Sequence, residues 1–175
     1  MLNKIKVGAQ LGHYRLVYFD EAGFAASPPV QYGWNPRGKP HETEPQDHNR
    51  RSVLGALNYT DNTLFYQTMS GSITRADVVD FLEKIAKQGD NRLTFLVLDN
   101  ARIHHGIEEK IRHRWLQEHN LLLLYLPAYS PELNLIEIVW KQAKYHWRRF
   151  IIWTTDTMEY VISRPPASAC FRIAK

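Results

Sequence analysis

Apolar and polar positions alternate first at strand spacing and then at helix spacing along the chain. From His13 to Asp20 the run H-Y-R-L-V-Y-F-D is rich in β-forming residues and then meets Glu21 and Gly23, which predicts a buried strand followed by a turn. Ser52 to Asn58 and Thr63 to Met69 predict two more strands, and Asp61-Asn62 between them supplies turn chemistry for a hairpin. Residues 26 to 51 hold Pro28, Pro29, Pro36, Pro40 and Pro45 among polar groups and read mostly as loop, with Val30 to Trp34 as a strand-like stretch. The period then changes. Thr74 has N-cap chemistry, and Val78, Phe81, Leu82 and Ile85 recur at helical spacing until Gly89. Thr94 to Leu98 is a continuous apolar run ending in Asp99-Asn100, as in a strand covered on both faces. Helical residues from about Gly106 to Glu118 lead to a further buried strand, Leu121 to Leu126. Ser130-Pro131 resembles an N-cap followed by proline at the first helical position, and Leu133, Ile136, Trp140, Ala143 and Trp147 form the stripe of a last helix. The order β-β-β-α-β-α-β-α predicts an α/β fold, one mixed sheet with helices on its faces.

The 175 residues suit one such domain, placed at 13–155, with an extension at 1–12 and a tail at 156–175 that the Pro165-Pro166 pair bars from continuing a helix. At 44% hydrophobic and 23% charged residues the chain can bury a core and is not disordered. No apolar run has signal-peptide or membrane-spanning length, so secretion and membrane insertion are not expected. The lone Cys170 permits no internal disulfide and suits a reducing cytoplasm. A net charge of +4 tilts the chain mildly towards polyanionic partners.

Three acids stand where chemistry is expected. Asp20 and Asp99 fall at the C-terminal ends of buried strands, where side chains face a crevice, although either residue alone is also an ordinary turn former. Glu21 points opposite to Asp20 on a strand, and sequence physics does not choose between the two. Glu137, a turn or more into the last helix, precedes Lys141, Lys144 and Arg148 on the same side; a basic ladder of this kind fits a phosphate backbone, or is a plain solvated face. Three carboxylates without a cysteine pair are hard oxygen ligands, suited to Mg²⁺ or Mn²⁺ rather than zinc. Phosphoryl transfer with two metal ions about 4 Å apart is the matching chemistry.

F-D-E-A-G-F (Phe19 to Phe24), V-L-D-N-A-R-I-H (Val97 to His104) and L-P-A-Y-S-P-E-L-N-L-I-E-I-V-W (Leu126 to Trp140) resemble the catalytic domain of mariner-type transposases, in their bacterial insertion-sequence branch. The third motif is the most specific, and the resemblance covers roughly residues 13 to 155. It implies a ribonuclease H-like fold and an Asp, Asp, Glu/Asp triad that holds two metal ions. Carried over by residue, that triad is Asp20, Asp99 and Glu137, with Glu137 lying 38 positions after Asp99. The same comparison gives Asn100, His104, Tyr129, Ser130, Pro131 and Asn134 supporting places, with His104 read as structural rather than catalytic. Leu135 stands where the pattern has proline. Trp34, Arg37 and Lys39 match a loop near the active face where aromatic and basic groups touch DNA, or else form an exposed hairpin tip.

The resemblance implies DNA strand cleavage and strand transfer, element ends and target DNA as partners, a TA target dinucleotide, and it allows a homodimer. Complete members carry N-terminal helix-turn-helix modules, so this sequence reads as a catalytic domain alone, as in a truncated gene copy. The rival readings are another ribonuclease H-like nuclease without strand transfer, and a degenerate fragment that only binds nucleic acid or a partner transposase.

Overall fold

The computed structural model describes residues 1–25, 37, 50–128, 130–147 and 172–174. Its elements are α1 (Leu2–Gln10), β1 (Arg15–Ala25), β2 (Arg50–Asn58), β3 (Thr63–Ser70), α2 (Arg75–Lys87), β4 (Thr94–Leu98), α3 (Arg102–His105), α4 (Glu109–His119), β5 (Leu121–Tyr125), a 3₁₀ turn (Pro131–Leu133), α5 (Ile136–Trp147) and β6 (Arg172–Ala174). The strands form one mixed sheet in the order β5-β4-β1-β2-β3-β6. Strands β1, β4 and β5 run parallel, β1-β2-β3 is an antiparallel meander, and β6 runs parallel to β3.

Strand alternation divides the core in two. Leu16, Tyr18, Ala22 and Phe24 of β1 pack with Ile136, Val139 and Trp140 of α5 and with Ile5 and Ala9 of α1. On the other face, Val17 and Phe19 meet Val78, Phe81, Leu82 and Ile85 of α2 and the fully buried Trp115 of α4. The predicted N-cap of α2 is present as a reciprocal capping box: the Asp77 N–H donates to Thr74 Oγ1 at 3.4 Å and the Thr74 N–H donates to Asp77 Oδ2 at 2.8 Å.

Four details depart from the expectations. β1 does not end at Asp20; its parallel pairing with β4 stops at Tyr18 opposite Val97, while its antiparallel pairing with β2 continues to Ala25. Asp20 therefore lies just past the end of the parallel ladder and inside a longer hairpin strand. The stretch expected to be helical from about Gly106 becomes helical only at Glu109, as α4, and a short unexpected helix, α3, precedes that glycine. The last helix begins at Ile136 rather than Ser130, because Pro131–Leu133 closes as a 3₁₀ turn and Asn134 is extended, at φ −92° and ψ 99°. Ser130 makes no cap bond; its hydroxyl donates to the Ala128 carbonyl at 3.4 Å. Residues 2–10, read as an extension, form a helix whose Ile5 and Ala9 join the core. The strand-like stretch Val30 to Trp34 lies outside the described residues.

Candidate active site

Alternation along β1 sends Asp20 to the α5 face and Glu21 to the α3 face, and both acids end beside Asp99 at the exit of β4. Asp20 is 7% exposed. Burial, followed by the charges of Glu21, Glu137 and Asp99, pushes its carboxyl up to about 7, while the Glu21 backbone N–H holds it down.

Asp99 follows β4 directly and is half-exposed. Its Oδ1 accepts from the Ala101 N–H at 3.0 Å and stands 2.6 Å from Nδ1 of His104. The bond to His104 holds this carboxyl below the usual range against the effect of burial. His104, on α3, is fully buried; its Nε2 lies 2.8 Å from Oε2 of Glu21, and its ring meets Phe19 edge-on at 5.3 Å. Burial opposes a charge on this imidazole, but Asp99 and Glu21 outweigh burial and push it up to about 10. The Tyr125 hydroxyl donates to the His104 carbonyl at 3.0 Å, and the Tyr125 ring stacks on His105 at 4.6 Å, which ties α3 to β5.

Glu137 is the second residue of α5, in the first turn rather than deeper in the helix, where the N-terminal end of the helix dipole favours an acid. Its placement depends on Asn134. The buried Asn134 amide donates to the Phe19 carbonyl at 3.1 Å, immediately before Asp20, and the Glu137 N–H donates to the Asn134 carbonyl at 3.1 Å. Asn134 Oδ1 is buried without a hydrogen-bond partner among the described residues. Asp99, Asn100, Ser130, Pro131, Asn134 and Glu137 line one cavity of about 500 Å³. On the other side of Glu137 a second cavity of about 510 Å³ is bordered by Ile138, Trp140, Lys141 and Lys144.

Gly55 is directly opposite Asp20 across the β1–β2 ladder, and Trp140 fills the space a side chain there would take. A Cβ on Gly55 would lie 2.5 Å from Cη2 and Cζ2 of Trp140, so the missing side chain is what lets α5 approach the sheet beside Asp20.

The fold therefore brings Asp20, Asp99, Glu137, Asn100, His104, Ser130, Pro131 and Asn134 to one edge of the sheet. Lys141 and Lys144 are exposed on α5, and Arg37 is exposed in a turn. Trp34, Lys39, Tyr129 and Arg148 lie outside the described residues. Glu21 as the partner of His104, and Gly55 as the seat of Trp140, were not legible in the sequence: the first pair is 83 positions apart and the second is a packing contact between distant elements. Among the described residues no three His, Cys, Asp or Glu side chains close on a common point as an assembled metal centre. The donor set still fits a hard divalent cation, because the candidate ligands Asp20, Asp99 and Glu137 offer carboxylate oxygens.

Sheet order, flanking helices and the acids at the parallel-strand exits define a ribonuclease H-like fold. The sequence matches the family described as DDE superfamily endonuclease over residues 15–158, so the chain belongs to that family, whose members act with divalent metals. Among solved structures it is similar to the Mos1 strand transfer complex, at a TM-score of 0.67 and 13% identity over 97% of this chain and 51% of that one. It is also similar to the Mos1 transposase paired-end complex with left transposon end, at 0.66 and 15% over 95% and 53%, and to the Mos1 mariner paired end complex with Mn, at 0.64 and 15% over 85% and 46%. The chain spans about half the length of these solved chains. No curated protein matches the sequence.

Proposed function

We propose that this chain is the catalytic domain of a mariner-type transposase of the bacterial insertion-sequence branch, in which Asp20, Asp99 and Glu137 hold two Mg²⁺ or Mn²⁺ ions. The observation that carries the reading is Asp20 in a DDE superfamily endonuclease: a nearly buried carboxyl that burial first, and then the charges of Glu21, Glu137 and Asp99, push up to about 7. When bound, the metals supply Lewis-acid activation of the attacking oxygen and neutralise charge on the phosphate.

The chain's own residues hold and orient. Asp99 stays ionised under His104 and Ala101, and Asn134 fixes Glu137 against the strand that carries Asp20. In cleavage, a water oxygen bonds to phosphorus and the 3′-oxygen departs as the hydroxyl. In strand transfer that 3′-OH bonds to a target phosphorus and releases the target's own 3′-oxygen. Lys141 and Lys144, with Arg148, Arg37, Lys39 and Trp34, contact the phosphate backbone and bases of element ends and of a TA target. The lone Cys170 fits action in a reducing cytoplasm; among the described residues no helix is long and apolar enough to cross a membrane.

The test is product analysis with a supercoiled plasmid and a labelled oligonucleotide bearing a free 3′-OH. Joined products in Mg²⁺ or Mn²⁺ support the transposase reading. Nicks without joining assign a nuclease, and DNA binding with neither product assigns a binding fragment.

A further inference from the structure

Glu21 has no part in the triad, yet it holds the most deeply buried polar side chain of the site. His104 is fully enclosed; its Nε2 lies 2.8 Å from Oε2 of Glu21, and its Nδ1 lies 2.6 Å from Oδ1 of Asp99 and 3.3 Å from the Asp99 backbone carbonyl. The clamp rests on rigid elements at each end: Glu21 is paired opposite Leu54 in the β1–β2 ladder, and the His104 carbonyl accepts from the Tyr125 hydroxyl at 3.0 Å. Both the Ala101 N–H and His104 engage Oδ1 of Asp99, and among the described residues no hydrogen bond reaches Oδ2. Asp99 also lines the cavity shared with Asn134 and Glu137.

We infer that Glu21 is a positioning residue: acting through His104, it fixes the side chain of Asp99 with Oδ1 turned into the fold and Oδ2 presented to the cavity as the metal-facing oxygen. A half-exposed aspartate would otherwise be free to change rotamer, and each change would remove one ligand from the site. The inference rests on the reading of Asp99 as a metal ligand. It gives Glu21, the neighbour of Asp20 on the opposite strand face, a role distinct from metal binding.

The test is a Mn²⁺ titration by calorimetry in the absence of DNA, with thermal denaturation of each apo protein alongside. Asp99→Asn serves as the reference that removes the ligand. Glu21→Ala should weaken Mn²⁺ binding by about 10–100-fold, as loss of groups that orient metal ligands does. Glu21→Gln, whose amide oxygen still accepts from Nε2–H, should recover most of that loss. Should Glu21→Ala fail to fold, Glu21→Asp, one methylene too short to reach Nε2, gives the same comparison. In a His104→Asn background, which keeps a donor towards Asp99 but cannot reach Glu21, Glu21→Ala should have no further effect. Unchanged Mn²⁺ affinity in Glu21→Ala or Glu21→Asp, with or without a lower melting temperature, would make Glu21 a purely structural ion-pair partner and overturn the inference while leaving Asp99 a ligand. Wild-type affinity in Asp99→Asn would instead overturn the metal-ligand reading itself.

Discussion

Gly55→Ala adds one carbon at the point where α5 meets the sheet beside Asp20. The new Cβ would stand 2.5 Å from two ring atoms of Trp140 and 3.1 Å from Cδ1 of Ile136. Carbon atoms pack at about 3.5–4.0 Å, so the indole must retreat by roughly 1 Å. Trp140 is 2% exposed and Ile136 fully buried, so the retreat has to move the helix. Overpacking of this kind costs up to about 3 kcal/mol, and the lower entropy of an unfolded alanine returns about 1 kcal/mol, leaving a net loss of about 2 kcal/mol. For a domain of this size that is a fall in melting temperature of roughly 4–8 °C. The same displacement carries Glu137, three positions before Trp140 on α5, away from Asp20, and a misplacement of about 1 Å can cost about 100-fold in activity. A double-mutant cycle with Trp140→Phe, which lacks the clashing ring atoms, should show a favourable coupling of about 1 kcal/mol or more by urea denaturation. Additive effects in that cycle, or a melting temperature within about 1 °C of wild type for Gly55→Ala, would refute the reasoning.

Asn134→Ala should cost about 1–3 kcal/mol in urea denaturation and lower plasmid nicking, because it removes the bond that seats the start of α5 on the Phe19 carbonyl; Asn134→Asp should not restore it, since a carboxylate cannot donate. The Glu83 carboxylate accepts from the Trp115 indole and from Arg114 at 2.7 Å, and the indole bond holds its carboxyl below the ordinary value of 4.5. A depressed acid stabilises the fold above that value, so Glu83→Gln should be less stable by about 1 kcal/mol at neutral pH, with the gap closing as pH falls below the ordinary glutamate range. Replacing Lys141 and Lys144 together by alanine should lower the slope of log affinity against log salt on duplex DNA by about 2, read from fluorescence anisotropy; an unchanged slope would place the phosphate contacts elsewhere.

Periodicity made the central elements readable. β2, β3, β4 and α2 have apolar positions whose spacing matches the faces they bury, and Thr74 announces its helix with a capping box; β5, read as a buried strand, is instead an edge strand with Leu122 exposed. What the sequence concealed was set by partners distant in the chain. The segment after Asp20 holds an acid and a glycine and reads as a turn, yet it stays extended because β2 pairs with it through Ala25. Ser130-Pro131 has the chemistry of a helix start, but the Asn134 side chain is committed to the Phe19 carbonyl, and the helix waits until Ile136. α1 shows a weak stripe interrupted by Gly8, whose close approach to the Tyr14 ring leaves no room for a Cβ. Asp99 was legible as a strand-exit residue and Glu137 as a helix residue, whereas Asp20 lies inside β1, and only the transposase resemblance preferred it to Glu21. The bridge from Glu21 to His104 across 83 positions left no local trace.

The most direct measurement of the central claim is nicking of supercoiled DNA in Mn²⁺ by the wild type, Asp99→Asn and Glu137→Gln, with circular dichroism showing that all three fold alike. The account predicts nicking by the wild type in Mn²⁺ or Mg²⁺, none in Ca²⁺, and loss of the reaction in both variants, since each removes a carboxylate ligand at the sheet edge rather than core packing. Nicking by Glu137→Gln at the wild-type rate, or rescue of a chelated wild type by zinc alone, would contradict it.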